Sequence, residues 1–153
     1  MHALQLADGI TGAVEGASWP ATEEKLTASR NYLIGTTRRN GAPHAKPVWG
    51  VWEDGLWFST GSTAVTGRNL ARDPRVSVHL ESGDDTVILE GNVEAMPQSE
   101  VPTSVMRAYA EKYAFDPAAE DAPDGTWYRL VPALAHTWLE ADFVNSVARW
   151  EFD

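Results

Sequence analysis

The sequence predicts a mainly β domain, a small antiparallel barrel of six or so strands with α decorations. Three observations carry this expectation. Apolar and polar residues alternate with period two through most of the central chain, Asn-Gly and Asp-Gly pairs punctuate the alternation, and helical spacing is confined to three short stretches. The length of 153 residues is that of one ordinary domain.

Residues 1–17 are rich in Gly, Ala and Thr with weak periodicity and are expected to form an N-terminal arm, leaving 18–153 as the barrel domain. Trp19-Pro20 opens a short helix, because Pro suits a first-turn position and Glu23 and Glu24 lie near the positive helix end; it should stop near Arg30. From Asn31 the spacing is that of strands: NYLIGTTRR, then Asn40-Gly41, APHAKPVWGVWE, Asp54-Gly55 and LWFST. Both pairs are strong hairpin signals, since the two central residues of a type I′ turn need positive φ, and a three-stranded meander is predicted. The small, hydroxylated run GSTAVTG leads into RNLARDP, a short helix that must end at Asp73-Pro74. In RVSVHLE, Val76, Val78 and Leu80 share one face, the mark of a half-buried strand. A turn at Ser82–Asp85, where Asp84 and Asp85 serve the backbone, leads to TVILEGNVEAM, whose Gly91 suggests a bulge. Between Gln98 and Phe115, Val101, Val105, Tyr109 and Tyr113 recur every four residues, the stripe of an amphipathic helix that should cap the barrel or a partner. TWYRLVPALAHTWLE, interrupted by Pro132, and VARWEFD close the barrel.

Composition narrows the function. Twelve Lys+Arg against 22 Asp+Glu give a net charge of −10, which argues against a nucleic-acid-binding surface. The absence of Cys removes disulfides, thiolate metal sites and a Cys nucleophile. No basic n-region opens the chain and no apolar run reaches spanning length, so a cytoplasmic location without a membrane partner is expected. The four His residues lie at no metal-ligand spacing, and neither HExxH, GxSxG nor GxGxxG occurs. GSTAVTGRN misses the P-loop by its five-residue gap and by Arg68 and Asn69 in place of Lys and Ser/Thr.

Charge is distributed unevenly. From Arg30 to Arg75 there are seven cations and three acids, a basic segment suited to a small anion. Within it, Ser59, Thr60, Gly61, Ser62 and Thr63 supply hydroxyls and backbone N–H groups at a strand end, the following helix points its positive end at them, and Arg68 sits one turn inside. A phosphate would be well received there; a Ser/Thr cap on an ordinary helix is the plainer alternative. Trp49, Trp52, Trp57 and Trp138 offer flat apolar surface, for a planar ligand or for the core. His79 reads as a surface or interface residue.

NYLIGTTRRNGAPHAKPVWGVWEDGLWFST, followed by RNLARDPRVSVHLE, TVILEGNVE, YRLVPALAHTW and ARWEF, resembles the split β-barrel flavin and deazaflavin oxidoreductases, the superfamily named for pyridoxamine 5′-phosphate oxidase. The likeness runs from about Glu23 to Phe152. It implies an FMN-binding split barrel, a homodimer with two cofactor sites at its interface, and hydride transfer to or from a small planar substrate. FMN is the implied cofactor and the deazaflavin coenzyme F-420 the alternative; a non-catalytic binder of flavin, deazaflavin or haem is the other reading. By the same resemblance Lys46, Pro47, Val48 and Trp49 run beside the isoalloxazine ring. Ser59 to Thr63, Thr66, Arg68 and Asn69 face the phosphate, Trp138 approaches the ring from the other subunit, and Arg149 lies near ligand. Two departures stand out. Val65-Thr66 replaces the basic pair common in the family, and Glu151 stands where true pyridoxamine 5′-phosphate oxidases have a His two residues after the Arg. No side chain is assigned a catalytic proton transfer and no metal is expected.

Overall fold

A computed structural model describes residues 2–4, 17–119 and 125–153. In chain order these form β1 (His2–Leu4), α1 (Trp19–Ala28), β2 (Tyr32–Thr37), β3 (Pro43–Val48), β4 (Gly50–Trp52), β5 (Leu56–Thr60), α2 (Val65–Arg72), β6 (Arg75–His79), β7 (Asp85–Met96), α3 (Thr103–Tyr113), β8 (Thr126–Leu139), α4 (Phe143–Ser146) and β9 (Ala148–Glu151). The expected mainly β barrel is present. Of the expected N-terminal arm, residues 5–16 lie outside the described residues, and 2–4 pair with β9.

Every pairing is antiparallel, in the order β1-β9-β8-β7-β6-β2-β3, with β5 and then β4 attached to β8. β8 organises the sheet. One edge pairs with β7 along its length, while the other is divided between β5 at residues 126–130 and β9 at residues 134–137. The division falls at Pro132, which cannot donate to a ladder. There the register against β7 shifts so that Glu90 faces Leu134 and Gly91 faces Pro132, leaving Ala133 as the extra residue of a bulge. Gly91 is obligatory because a Cβ there would lie 2.2 Å from the carbonyl oxygen of Val131. The bend expected at Gly91 is therefore real, and its extra residue belongs to the partner strand.

Alternation fills the barrel. Tyr32, Ile34 and Thr36 from β2, Val76 and Val78 from β6, and Leu56 and Phe58 from β5 all face inward and are buried. The α1 helix closes one side with Trp19 and Leu26; its N-cap Ser18 accepts from Ala21 N–H, an interaction of about 1 kcal/mol. The expected stripe of α3 is also buried, against Val51, Trp57 and Trp127, and forms a second apolar cluster outside the barrel.

Three details differ from expectation. The helix begins at Thr103 rather than Gln98, because Val101 precedes Pro102 and is held extended (φ −71°, ψ 131°). The Asn40-Gly41 turn is not type I′: only Gly41 has positive φ (83°), and the Arg38–Ala42 backbone pair closes a three-residue loop. At the second hairpin both Asp54 (49°) and Gly55 (127°) take positive φ, as expected. The third difference is the largest. The middle strand of the meander is broken at Trp49, so that β3 pairs with β2 and β4 with β5. The nine strands of the described residues exceed the expected six or so through this break and the terminal β1 and β9.

Gly91→Ala should lower the unfolding free energy by about 1–3 kcal/mol through backbone overpacking, whereas Gly83→Ala, with nothing within 4 Å of its Cβ, should stay within about 0.5 kcal/mol; urea denaturation of the two variants checks this.

Candidate functional site

At the β3–β4 break the backbone turns out of the sheet and is held by side chains from the end of α3. The Tyr113 hydroxyl accepts from Gly50 N–H at 2.8 Å and donates to the Arg30 carbonyl at 2.7 Å, while Lys112 Nζ donates to the carbonyls of Gly50 (3.0 Å) and Thr27 (3.2 Å) and to the Tyr32 hydroxyl (2.9 Å). Trp49 is thereby turned outward, 37% exposed, and lies flat on Tyr113 with ring centroids 4.6 Å apart and planes 7° from parallel. Arg30 stands over the same pair, 5.6 Å from the Trp49 centroid.

Beside Trp49 opens an aromatic slot of about 250 Å³ whose walls include Tyr109, Phe115 and Trp127, with Gln98, Ser59, Thr60 and Gly61 contributing polar atoms. Among the described residues no charged side chain lines it. The volume falls below the roughly 300–1,000 Å³ of pockets that enclose a whole drug-sized ligand, so it suits a ring system rather than a complete cofactor.

From Gly61 the loop Ser62-Thr63-Ala64 crosses to α2. The N-cap is Ala64 and makes no side-chain cap, which removes the plainer reading of this segment as a Ser/Thr cap. Gly67 has no room for a side chain, since its Cβ would lie 2.3 Å from the Gly61 carbonyl oxygen; the first turn of α2 thus packs directly on the loop, and its N–H groups have no partners within the helix. Thr66 beneath it is fully buried, its hydroxyl unpartnered among the described residues. Asn69 donates to the Thr36 hydroxyl at 3.0 Å and fixes the helix to β2.

On the far side of the loop, α2 and the β2–β3 hairpin enclose a groove of about 760 Å³ lined by Arg38, Arg39, Arg68 and Arg72 with Asn40, Val65 and Asn69. Arg68 Nη1 donates to the Thr63 carbonyl at 2.9 Å and Arg72 to the Thr37 carbonyl, so each is oriented through one N–H with others free. Among the described residues none of the four lies within 4 Å of a carboxylate. These four cations, of which Arg72 also lies in the field of Asp73, give the groove a positive local field within a chain of net charge −10.

The structure thus gathers Trp49, Ser59, Thr60 and Gly61 at the slot, Ser62 and Thr63 on the loop, and Arg68 and Asn69 at the groove. Ser59 spends its hydroxyl on the Thr126 carbonyl, at 3.1 Å. Lys46, Pro47 and Val48 form the strand that leads to Trp49; Lys46 lines neither cavity, and Val48 points into the core. Two residues stand apart. Thr126, opposite Thr60, lies twelve positions from Trp138 along β8, about 40 Å of strand contour. Arg149 is half-buried on β9 and ion-paired with Glu151. The sequence reading missed Arg38, Arg39 and Arg72 as groove residues, although its basic segment contained them, and missed Tyr109, Phe115 and Trp127, which read as a helix stripe and a strand.

An antiparallel sheet curled into a barrel and divided at a strand break, with a glycine-tight loop running onto a helix, defines the split-barrel fold. The chain belongs to the pyridoxamine 5′-phosphate oxidase family, which its sequence matches over residues 18–139. A comparison with curated proteins finds no match. Among solved structures the chain is similar to the conserved hypothetical protein Rv2991 from Mycobacterium tuberculosis (25% identity, 84% of this chain and 89% of that one, TM-score 0.68). It is also similar to an F420 reductase (21% identity, 74% and 94%, TM-score 0.61) and to a heme binding protein from Mycobacterium smegmatis (21% identity, 88% and 58%, TM-score 0.70). Among the described residues no helix is long and apolar enough to cross a membrane, and no group of His, Cys, Asp and Glu could hold a metal ion.

Burial, with repulsion from Arg30, lowers the Lys112 ammonium from 10.5 to about 8. The unfolded chain therefore holds the extra proton between pH 8 and 10.5, and the contribution of Lys112 to stability rises with pH across that window. Above pH 10 it is opposed by Tyr32, Tyr109 and Tyr113, whose hydroxyls burial pushes up. Chemical denaturation should show stability increasing from pH 8 to 9.5 in the native protein and no such increase in Lys112→Met.

Proposed function

We propose that this protein is an oxidoreductase that binds FMN or the deazaflavin coenzyme F-420 and transfers hydride to or from a small planar substrate, as a homodimer with its sites near the interface. The observation that carries this reading is the succession of an aromatic slot, a glycine-tight loop running onto the start of α2 and an arginine groove, the segment from Trp49 to Arg72 contributing to all three. That order matches a molecule with a conjugated ring at one end, a phosphate in the middle and an anionic tail at the other.

The residues present fit such a cofactor. Trp49, Tyr109 and Trp127 would hold the ring by apolar contact, the loop from Gly61 to Thr63 and the first turn of α2 would receive the phosphate, and Arg68 with Arg72 would supply charge that Val65 and Thr66 cannot. FMN ends at its phosphate and would neutralise only part of a four-arginine groove. The groove therefore favours the deazaflavin, whose tail continues with further anions.

Bound there, the cofactor would supply the hydride chemistry, and the protein's part is orientation and exclusion of water. The aromatic walls keep the ring region poorly hydrated, and proton transfer by a slot residue is not part of the proposal. Oxidation of a phosphorylated vitamin B6 substrate is disfavoured, because the Glu151 carboxylate already neutralises Arg149.

Side-by-side titration with FMN and the deazaflavin, followed by fluorescence, tests the reading; binding of the deazaflavin in preference to FMN is expected, and no binding of either overturns it. Arg68→Ala and Arg72→Ala should each weaken affinity about ten- to a hundredfold, the effect of a lost charge-assisted hydrogen bond of roughly 1.5–3 kcal/mol. Turnover with reduced cofactor and a quinone-like acceptor separates an enzyme from a non-catalytic carrier. If Trp138 completes a ring pocket, Trp138→Ala alters bound-cofactor fluorescence, and an identical spectrum removes it from the site.

A further inference from the structure

Arg30 is held beside the aromatic slot with its charge unspent. It follows the C-cap of α1, and three hydrogen bonds fix the backbone around it: Lys112 Nζ donates to the Thr27 carbonyl (3.2 Å), the Ser29 hydroxyl to the Asn31 carbonyl (2.9 Å) and the Tyr113 hydroxyl to the carbonyl of Arg30 itself (2.7 Å). The guanidinium stands 5.6 Å from the Trp49 ring centroid and 5.5 Å from that of Tyr113, two rings stacked 4.6 Å apart. Nearly equal distances put it on the flank of the pair, attracted by both ring systems, while its N–H edges stay free. Among the described residues it donates to no protein oxygen and lies within 4 Å of no carboxylate. Glu81 and Asp85 share a shallow groove with this residue, but both are engaged elsewhere, Asp85 with Lys25 at 2.6 Å and Glu81 with the Asn31 amide at 3.0 Å. The charge that does face Arg30 is of like sign: the Lys112 ammonium, whose protons go to the Thr27, Tyr32 and Gly50 oxygens. Two cations brought together without an acid leave a local positive field that an anion relieves.

The slot supplies the other half of the recognition. Trp49 is at once the ring that Arg30 flanks and a wall of the slot, so a planar molecule lying against Trp49 brings its edge within reach of the guanidinium. Among the described residues no acid lines the slot to repel an anionic edge. The shape of the guanidinium decides which anion it reads. Its planar fork matches a single carboxylate through two parallel N–H···O bonds, whereas a multiply charged phosphate is better served by the four arginines of the groove beyond the loop.

We propose that Arg30 is a specificity-determining residue: it selects planar substrates that carry a carboxylate at the edge of the ring, so that the substrate class is an aromatic or conjugated carboxylic acid. No bond is made or broken at Arg30, which orients the ring through its anionic edge. The inference rests on the proposed function only in taking the space beside Trp49 as the place where the substrate lies.

Naphthoate and naphthylmethanol share one ring system and differ in charge, and isothermal titration calorimetry of the whole chain with each of them at neutral pH tests the proposal. Naphthoate is expected to bind about fivefold more tightly than the alcohol, the upper range of an exposed charge pair, and the preference should shrink as salt is raised. Arg30→Gln, its fold checked by circular dichroism, should bind the two compounds equally and the alcohol as the native protein does. A matched loss of both compounds in Arg30→Gln would assign the residue to holding Trp49 and overturn the proposal. Equal affinity of the native protein for the two compounds, or binding of neither, also overturns it. So does a preference that Arg72→Ala removes and Arg30→Gln keeps, which places the carboxylate in the arginine groove. The cofactor titration reads a different event: cofactor bound without this preference leaves the proposed function and removes the inference, and the preference without cofactor binding does the reverse.

Discussion

The fold depends on how the chain passes through Trp49 and Gly50. A continuous strand there would extend the β2 hairpin; a break lets β3 stay on one edge while β4 crosses to the other, so that the covalent chain links the two edges of the curled sheet. A break exposes backbone polar groups that no ladder pairs, and these must find partners. Tyr113 and Lys112 provide them, from a helix 60 residues further along the chain. Gly50 is required by the same crowding, because a Cβ would lie 2.8 Å from the Trp57 carbonyl oxygen.

The same anchor creates the aromatic slot. Strand alternation buries Val48, and the break puts Trp49 outside the core, against Tyr113. The slot therefore exists because α3 is docked at this point, and its walls come half from the barrel and half from the helix. Lys112 is the strained element of the arrangement: a half-buried ammonium facing Arg30, tolerated because three oxygens receive its protons.

The arginine groove is governed by different physics. Its four guanidinium groups come from two elements, the β2–β3 hairpin and α2, that are held together by Asn69 on Thr36 and by Gly67 on the Gly61 loop. Mutual repulsion among these cations disfavours such a cluster, and an anion that entered would be bound the more strongly for it. Anion affinity in this region should therefore depend on ionic strength, unlike apolar contact with the aromatic walls of the slot.

Much of the architecture was legible in the residues themselves. Period-two alternation in RVSVH and the four-residue recurrence of Val101, Val105, Tyr109 and Tyr113 fixed which faces are buried, because burial of apolar surface leaves each periodicity one consistent orientation. Asp54-Gly55, Asp73-Pro74 and Gly91 marked their turn, helix end and bulge through local steric rules. The loop from Ser59 to Thr63 and Arg68 likewise stood out in the sequence as a candidate anion cradle. What local rules could not supply were the break at Trp49, the joining of Arg38 and Arg39 to Arg68 and Arg72, and the aromatic walls given by Tyr109, Phe115 and Trp127. Each depends on pairs of residues brought together from about 30 to 80 positions apart, and such contacts are decided by the packing of whole elements, not by the conformational preference of any one of them.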